Sequence, residues 1–381
     1  MNYIAIVCWM LFGSVLRLCA QTCGATYITE FQYDLKKRTN WCNLLRLDAY
    51  VPIGTKGILE FASIHVYKTR PERIINDLQT FSNIEEDNLP CAIAVLGYTR
   101  LIGNITLFAG IRNLNEDYFT TPCMSLFTNS SCGIFPTLSA NYPIANYPLA
   151  ALCLDYKMTL GRFGIESSLY NGKGYNGWSK GKHPFTFNPR KDGVFSITEI
   201  NYQTEYGKCF GGFSLHTNGD MPDVAGEWKT REREKKVSPK MTFAWWGYAE
   251  RKLWSRVRQE VNLLVQYTRT SSALSECRNY MGAGVTWIYV PGGQKRHEAG
   301  LFLSAAQFKS CNEVAGEVTY RYSFNRDTYI QPAIHLIKNG GGLHEVFLIR
   351  MGYILNGAVI RFKAAKSGYF GIGNDSGNIT Q

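Results

Sequence analysis

Period-two alternation of apolar and polar residues, broken at short intervals by turn signals, recurs along almost the whole chain. It restricts the fold to strands with one apolar and one wet face. In TYITEFQYD, Tyr27, Thr29, Phe31 and Tyr33 share one face, and Glu30, Gln32 and Asp34 the other. NLLRLDAYV sets Leu45, Leu47, Ala49 and Val51 against Arg46, Asp48 and Tyr50. VNLLVQYT and EVTYRYS repeat the pattern, the latter with Val318, Tyr320 and Tyr322 opposite Glu317, Thr319 and Arg321. About sixteen such runs follow one another, among them runs starting near Ile105, Phe163 and Val194, while those from Lys56 and Met281 alternate poorly.

The connections carry more information than the strands. PIGTKG, LIGN, LGR, EYGK, LWSRVRQ, PGGQKR and FNRD are short, and between them fall the long segments 68–90, 117–148, 171–192 and 218–239. Alternating short and long connections along an even number of strands place every short turn at one rim. A membrane barrel with short periplasmic turns and long outer loops has this pattern; a soluble sandwich has no such asymmetry. About ten residues at roughly 3.4 Å each, tilted near 45°, cover the ~25 Å apolar band of an outer membrane. The chain is rich in Tyr (23), Phe (21) and Gly (36), which suits strands and tight turns. No apolar run reaches the roughly 18 residues of a transmembrane helix. The expected fold is therefore all-β, a transmembrane antiparallel barrel of about sixteen strands over 21–356.

The N-terminal YIAIVCWMLFGSVL, followed by a small residue at Ala20, predicts a signal peptide over 1–20. Residues 357–381 form a C-terminal extension of unassigned role, with Phe370 inside it. Of the eleven cysteines, none sits in a C-x-x-C pair, which argues against a zinc or redox cage. Cys123 and Cys132 lie in one long polar loop of an exported chain, and a disulfide between them is an expectation; two unpaired thiols are the alternative.

Three motifs invite other functions. Gly172, Gly174 and Gly177 match G-x-G-x-x-G, but no helical period follows and no acidic residue closes a second βαβ unit, so they read as loop glycines. Ser214 and His216 share a strand face without a third orienting group, a weak basis for catalysis. The basic run KTREREKK, 229–236, reads as a solvated loop or a contact for lipopolysaccharide phosphates. Neither a nucleic-acid partner, a metal nor a cofactor is expected.

One segment is more specific. NLNEDYFTTPCMSLFTNSSCGIFPTLSANYPIANYPLAALCLDYK, 113–157, together with YNGKGYNGW, FNPRKDGVFSITEINYQ and YIQPAIHLI, resembles the carbohydrate-selective porins of Gram-negative outer membranes. The chain looks closest to the short versions in Bacteroides-type bacteria. The resemblance extends from about Leu107 to Ile354 and implies a sixteen-stranded barrel passing sugars down their gradient, with no enzymatic activity. It also implies outer-membrane lipid and lipopolysaccharide as surroundings, and leaves a homo-oligomer, a trimer, open.

A barrel of this size holds water, so selectivity depends on what narrows it. Segment 117–148, rich in aromatics, Asn, Ser and Pro, is the expected inward constriction loop. Tyr118, Phe119, Tyr142 and Tyr147 would offer flat faces to sugar rings, and Asn113, Asn115, Glu116 and Asp117 hydrogen bonds, with Arg112 just before the loop. Arg46, Asp48, Glu199, Glu317 and Arg321 would line the wall, their mixed signs suiting a neutral polar solute. The net charge of +11 keeps an anion or phosphate pore as a rival, although 113–148 contains no Lys or Arg. A non-conducting or enzymatic barrel is the remaining alternative.

Overall fold

The computed structural model describes residues 22–177, 183–217, 241–271 and 275–356. The expected signal peptide, the basic run 229–236 and the extension 357–381 lie outside them. The chain begins with β1 (Thr22–Asp34), β2 (Arg38–Ile53), β3 (Gly57–Lys68) and β4 (Leu89–Ile102). Then come β5 (Ile105–Arg112), β6 (Ala151–Leu160), β7 (Phe163–Asn171) and β8 (Val194–Gln203). The second half holds β9 (Gly207–Thr217), β10 (Met241–Arg256), β11 (Gln259–Thr270) and β12 (Cys277–Gly292). It ends with β13 (Lys295–Phe308), β14 (Asn312–Ser323), β15 (Thr328–Asn339) and β16 (Gly342–Asn356).

Each strand pairs antiparallel with its sequence neighbours, and β1 closes the ring on β16, Tyr27 opposite Tyr353 and Asp34 opposite Val346. Closure leaves no unpaired edge, which a sheet in lipid requires. The alternation read from sequence sets the two faces. Tyr27, Phe31, Val265, Leu303, Val318 and Ile334 point outward and stay exposed, while Glu30, Gln32, Gln266, Glu317 and Thr319 point inward. Strands β5, β7 and β8 begin where the sequence places them; β12 begins earlier, at Cys277 rather than near Met281, because a register shift between Cys277 and Asn279 breaks its alternation.

The connections 54–56, 103–104, 161–162, 204–206, 257–258, 293–294 and 324–327 are all short and share one rim. The opposite rim is uneven: 69–88, 113–150 and 172–193 are long, whereas 35–37, 309–311 and 340–341 are tight turns. Length is therefore confined to one side of the barrel mouth. The G-x-G-x-x-G glycines fall in 172–193, between two strands, and a Cβ on Gly174 would lie 2.8 Å from Ala145 Cα. That glycine serves close packing of two loops.

The outward face generates a direct test. Leu303, 55% exposed in the middle of β13, would contact acyl chains. Leu303→Arg should destabilise the barrel in a lipid bilayer by about 2–4 kcal/mol, read by denaturant titration. A loss under about 1 kcal/mol would place this position away from the bilayer interior.

Candidate functional site

Two loops lie inside the barrel, and inward-facing carboxylates of the wall hold them by their backbone. Glu317 on β14 accepts the N–H groups of Thr128 (2.8 Å) and Asn129 (3.0 Å) and the Thr128 hydroxyl (3.1 Å), all from the 113–150 loop. Glu250 on β10 accepts the Cys123 N–H at 2.9 Å and the Thr121 hydroxyl. Glu313 on β14 accepts the N–H groups of Leu78 (2.9 Å) and Gln79 (2.7 Å), from the 69–88 loop. The loops also bind each other, Asn83 N–H donating to Thr128 O and Ser130 N–H to Thr80 O, both at 2.8 Å. An irregular loop carries orphan N–H groups that need partners when buried, and a carboxylate bond of this kind is worth about 1.5–3 kcal/mol.

Apolar packing fixes the 113–150 loop against one half of the wall. Phe119 packs on Phe135 (ring centroids 4.7 Å) and on Trp246 (5.2 Å), and Phe135 on Tyr280 (5.5 Å). Below them Glu199 accepts hydrogen bonds from Trp246 Nε1 and Tyr248 Oη, each at 2.9 Å. Gly212 on β9 makes this reach across a strand feasible: a Cβ there would lie 2.4 Å from the Trp246 ring.

This packing corrects several expectations. Tyr118, Phe119 and Tyr142 turn their faces to protein, not to a lumen; Tyr118 is 1% exposed, and Tyr142 stacks on His216 at 4.9 Å. The loop needs its own core to stay folded in water, and its aromatics supply it. Tyr147 remains half-buried and donates its hydroxyl to Ile84 O at 3.1 Å. Cys123 and Cys132 are both unpaired; Cys123 sits by the Thr286 hydroxyl at 3.5 Å. Burial pushes both thiols well above the ordinary range. Glu199 and Glu317 face inward as expected but lie beneath the loop, where neither lines an open path. Arg321 binds the Ser125 carbonyl at 2.8 Å and Gln331 at 2.9 Å, another loop anchor.

The opposite half of the wall, β2 to β7, is charged, its ionic side chains ranging from buried (Arg112, Asp155) to partly exposed (Arg46, Asp48, Glu116). Arg46 pairs with Asp48 (2.8 Å) and reaches Glu116 of the loop (2.5 Å). Arg112 bridges Glu60 (2.8 Å) and Asp117 (2.9 Å). Lys157 pairs with Asp117 and, at 3.0 Å, with Glu166. Asp155 adjoins this group, accepting from Ser168 Oγ at 2.5 Å, and Ser168 in turn meets the Tyr118 hydroxyl at 2.7 Å. Burial opposes ionisation of Asp117, but Lys157 and Arg112 outweigh it and hold the carboxyl below its ordinary range. Asn113 and Asn115 each commit Oδ1 to the backbone, accepting the N–H groups of Asn115 (2.7 Å) and Tyr147 (2.9 Å).

The structure thus joins Arg46, Asp48 and Glu116 in one ionic cluster and Arg112 and Asp117, with Glu60, Lys157 and Glu166, in a second, and these ion pairs include none of Glu199, Glu317 and Arg321. Sequence reasoning missed Glu60, Asp155, Lys157 and Glu166, and the inward course of the 69–88 loop. Period two places Asp155 and Lys157 on the same face as the buried Cys153, a signal available in LCLDYK. Nothing local marks Glu250 or Glu313 as loop anchors. His216 donates Nε2–H to Gly172 O at 2.7 Å and so ties the 172–193 loop to the wall, while Ser214 is buried on the same strand face.

No family model and no curated protein matches the chain in sequence. Among solved structures, OprB of Pseudomonas putida at high pH superposes with a TM-score of 0.72 at 14% identity, covering 91% of this chain and 97% of its own. The trimer form of OmpT, an outer membrane protein of Vibrio cholerae, gives 0.54 at 9% identity, covering 87% and 98%. An anion-selective porin from Comamonas acidovorans gives 0.52 at 11% identity, covering 88% and 98%. The shared fold is the sixteen-stranded barrel of outer-membrane porins.

Two outcomes test the loop anchoring. Glu317→Ala leaves buried N–H groups unpaired, at about 1–3 kcal/mol, so amide exchange at Thr128 and Asn129 should accelerate about ten- to hundredfold; unchanged protection would remove Glu317 from this role. In denaturant without reductant, Cys123 and Cys132 should both alkylate, whereas a resistant pair on mass spectrometry would restore the disulfide.

Proposed function

We propose that the chain is a passive outer-membrane porin whose filter, formed by the 113–150 loop and the charged wall, admits neutral polar solutes, carbohydrates foremost. One observation carries this reading. The two ionic clusters together set three cations (Arg46, Arg112, Lys157) against six carboxylates (Asp48, Glu60, Glu116, Asp117, Asp155, Glu166), a formal balance of 3 − 6 = −3. Each of these three bases is committed to acids, which removes it as a free anchor for an anion. The chain's +11 charge therefore says little about the filter, because it is distributed elsewhere.

A dense array of paired donors and acceptors around a wet path exchanges hydrogen bonds with hydroxyls at small net cost, while an anion meets excess negative charge. The likeness of 113–157 to carbohydrate-selective porins, short Bacteroides-type members included, points the same way. The fold shared with a trimeric outer membrane protein supports a homo-oligomer. Lipopolysaccharide would surround the outer half of the barrel. No cofactor or catalytic step is needed.

The test is conductance of the purified protein in a planar bilayer. Open steps should be blocked dose-dependently by glucose or maltose and not by phosphate. Under a salt gradient the reversal potential should report cation preference, and Glu116→Gln should move it toward zero. Anion preference, or block by phosphate alone, would replace this reading with an anion pore; absent steps from folded barrels would indicate a plugged lumen.

A further inference from the structure

At the rim of long connections the 69–88 loop, the end of the 113–150 loop and Asn176 enclose a cavity of about 300 Å³. It is separate from the two ionic clusters, none of whose residues lines it. Its polar lining is unusual for a loop junction, because several groups have no internal use. Among the described residues the Asn146 carboxamide makes no hydrogen bond. Asn88 spends Oδ1 on Lys68 N–H at 2.7 Å and keeps Nδ2 open. Glu86 spends Oε1 on Asp87 N–H at 3.1 Å and keeps Oε2 open. Beside these groups lie the Tyr147 ring, held by its hydroxyl at Ile84 O, and the apolar surfaces of Pro143, Pro148 and Leu149.

From these groups we infer an outer capture site for a neutral saccharide, distinct from the filter and resting on the porin reading above. Open amide donors, an open carboxylate acceptor and an apolar wall match a pyranose, whose hydroxyls ring an apolar face. The volume stands at the lower end of the ~300–1,000 Å³ range of small-molecule sites, which suits a short saccharide. Other ligand classes fit less well. No Lys or Arg lines the cavity to hold an anion. A calcium ion takes about six to eight oxygens, whereas Asp87 is turned toward Lys68 at 3.5 Å and leaves Glu86 the main charged donor. Burial also pushes the Glu86 carboxyl above its ordinary range, which lessens its hold on cations.

A site at the entrance would raise the local solute concentration ahead of the filter, and would act on solute arriving from outside. The experiment is saturation-transfer NMR with glucose on the full-chain barrel in detergent, for wild type, Asn146→Ala, Asn88→Ala and the filter variant Glu116→Gln, each checked for folding by circular dichroism. Saturable glucose binding should weaken about fivefold in each asparagine variant, as expected for one lost hydrogen bond near 1 kcal/mol, and persist in Glu116→Gln. Absence of saturable binding, binding insensitive to both asparagines, or calcium binding abolished by Glu86→Gln with no glucose signal would overturn the site. Should an asparagine variant fail to fold, Asn146→Asp supplies the comparison. Binding without conductance would sink the porin reading and leave the site; conductance without binding would do the reverse.

Discussion

A backbone that crosses lipid has no water to bond with, so every N–H and C=O must be paired inside the structure. Here the β1–β16 closure meets that demand, and the rest of the architecture follows from it. Once the sheet is a ring, alternate side chains face either lipid or an enclosed interior. The outward set must be apolar, and the inward set is released to be polar. Charges that would be costly toward lipid are collected inside: Arg46, Arg112, Lys157 and Arg350 all point inward, each with a carboxylate partner.

A ring this wide would be an open hole without its two inward loops. They are held by unlike forces on unlike sides. On the β8–β14 side, aromatic rings and buried carboxylates fasten the 113–150 loop, and Glu199, Glu250 and Glu317 each bind loop groups or the side chains beneath the loop. Toward β2–β7 the contact is ionic, through Arg46–Glu116 and Arg112–Asp117. The long connections 69–88, 113–150 and 172–193 all leave strands β3 to β8, whereas the tight turns 309–311 and 340–341 join β13 to β14 and β15 to β16.

The electrostatics of the β2–β7 wall cannot be inferred from the charge of the chain. A protein with a formal charge of +11 surrounds two ionic clusters that together hold three more acids than bases. Bases committed to bidentate or bridging pairs orient carboxylates more than they attract anions. Arg112, between Glu60 and Asp117 with its guanidinium over the Phe108 ring at 3.8 Å, is the clearest example, since stacking fixes its plane as well as its charge.

Period two is a local property of the sequence, so strand number, strand faces and the short-turn rim were all legible in it. Tyr27 and Phe31 facing out and Glu317 and Arg321 facing in needed no neighbour to be assigned. The long loop was visible as a gap in alternation, and Arg112, Glu116 and Asp117 as its charged entrance. What the sequence could not carry was contact between distant segments. Tyr118, Phe119 and Tyr142 read as available aromatic faces because nothing local shows that they become the loop's core. For Cys123 and Cys132 the sequence left a bridge and two free thiols both open, because closeness along the chain does not set the sulfur geometry that a disulfide needs. Glu250, Glu313 and Glu317 became anchors only when closure of the ring brought them opposite loop N–H groups far away in the chain. Alternation decides which face a residue occupies; the folded ring alone decides what it meets there.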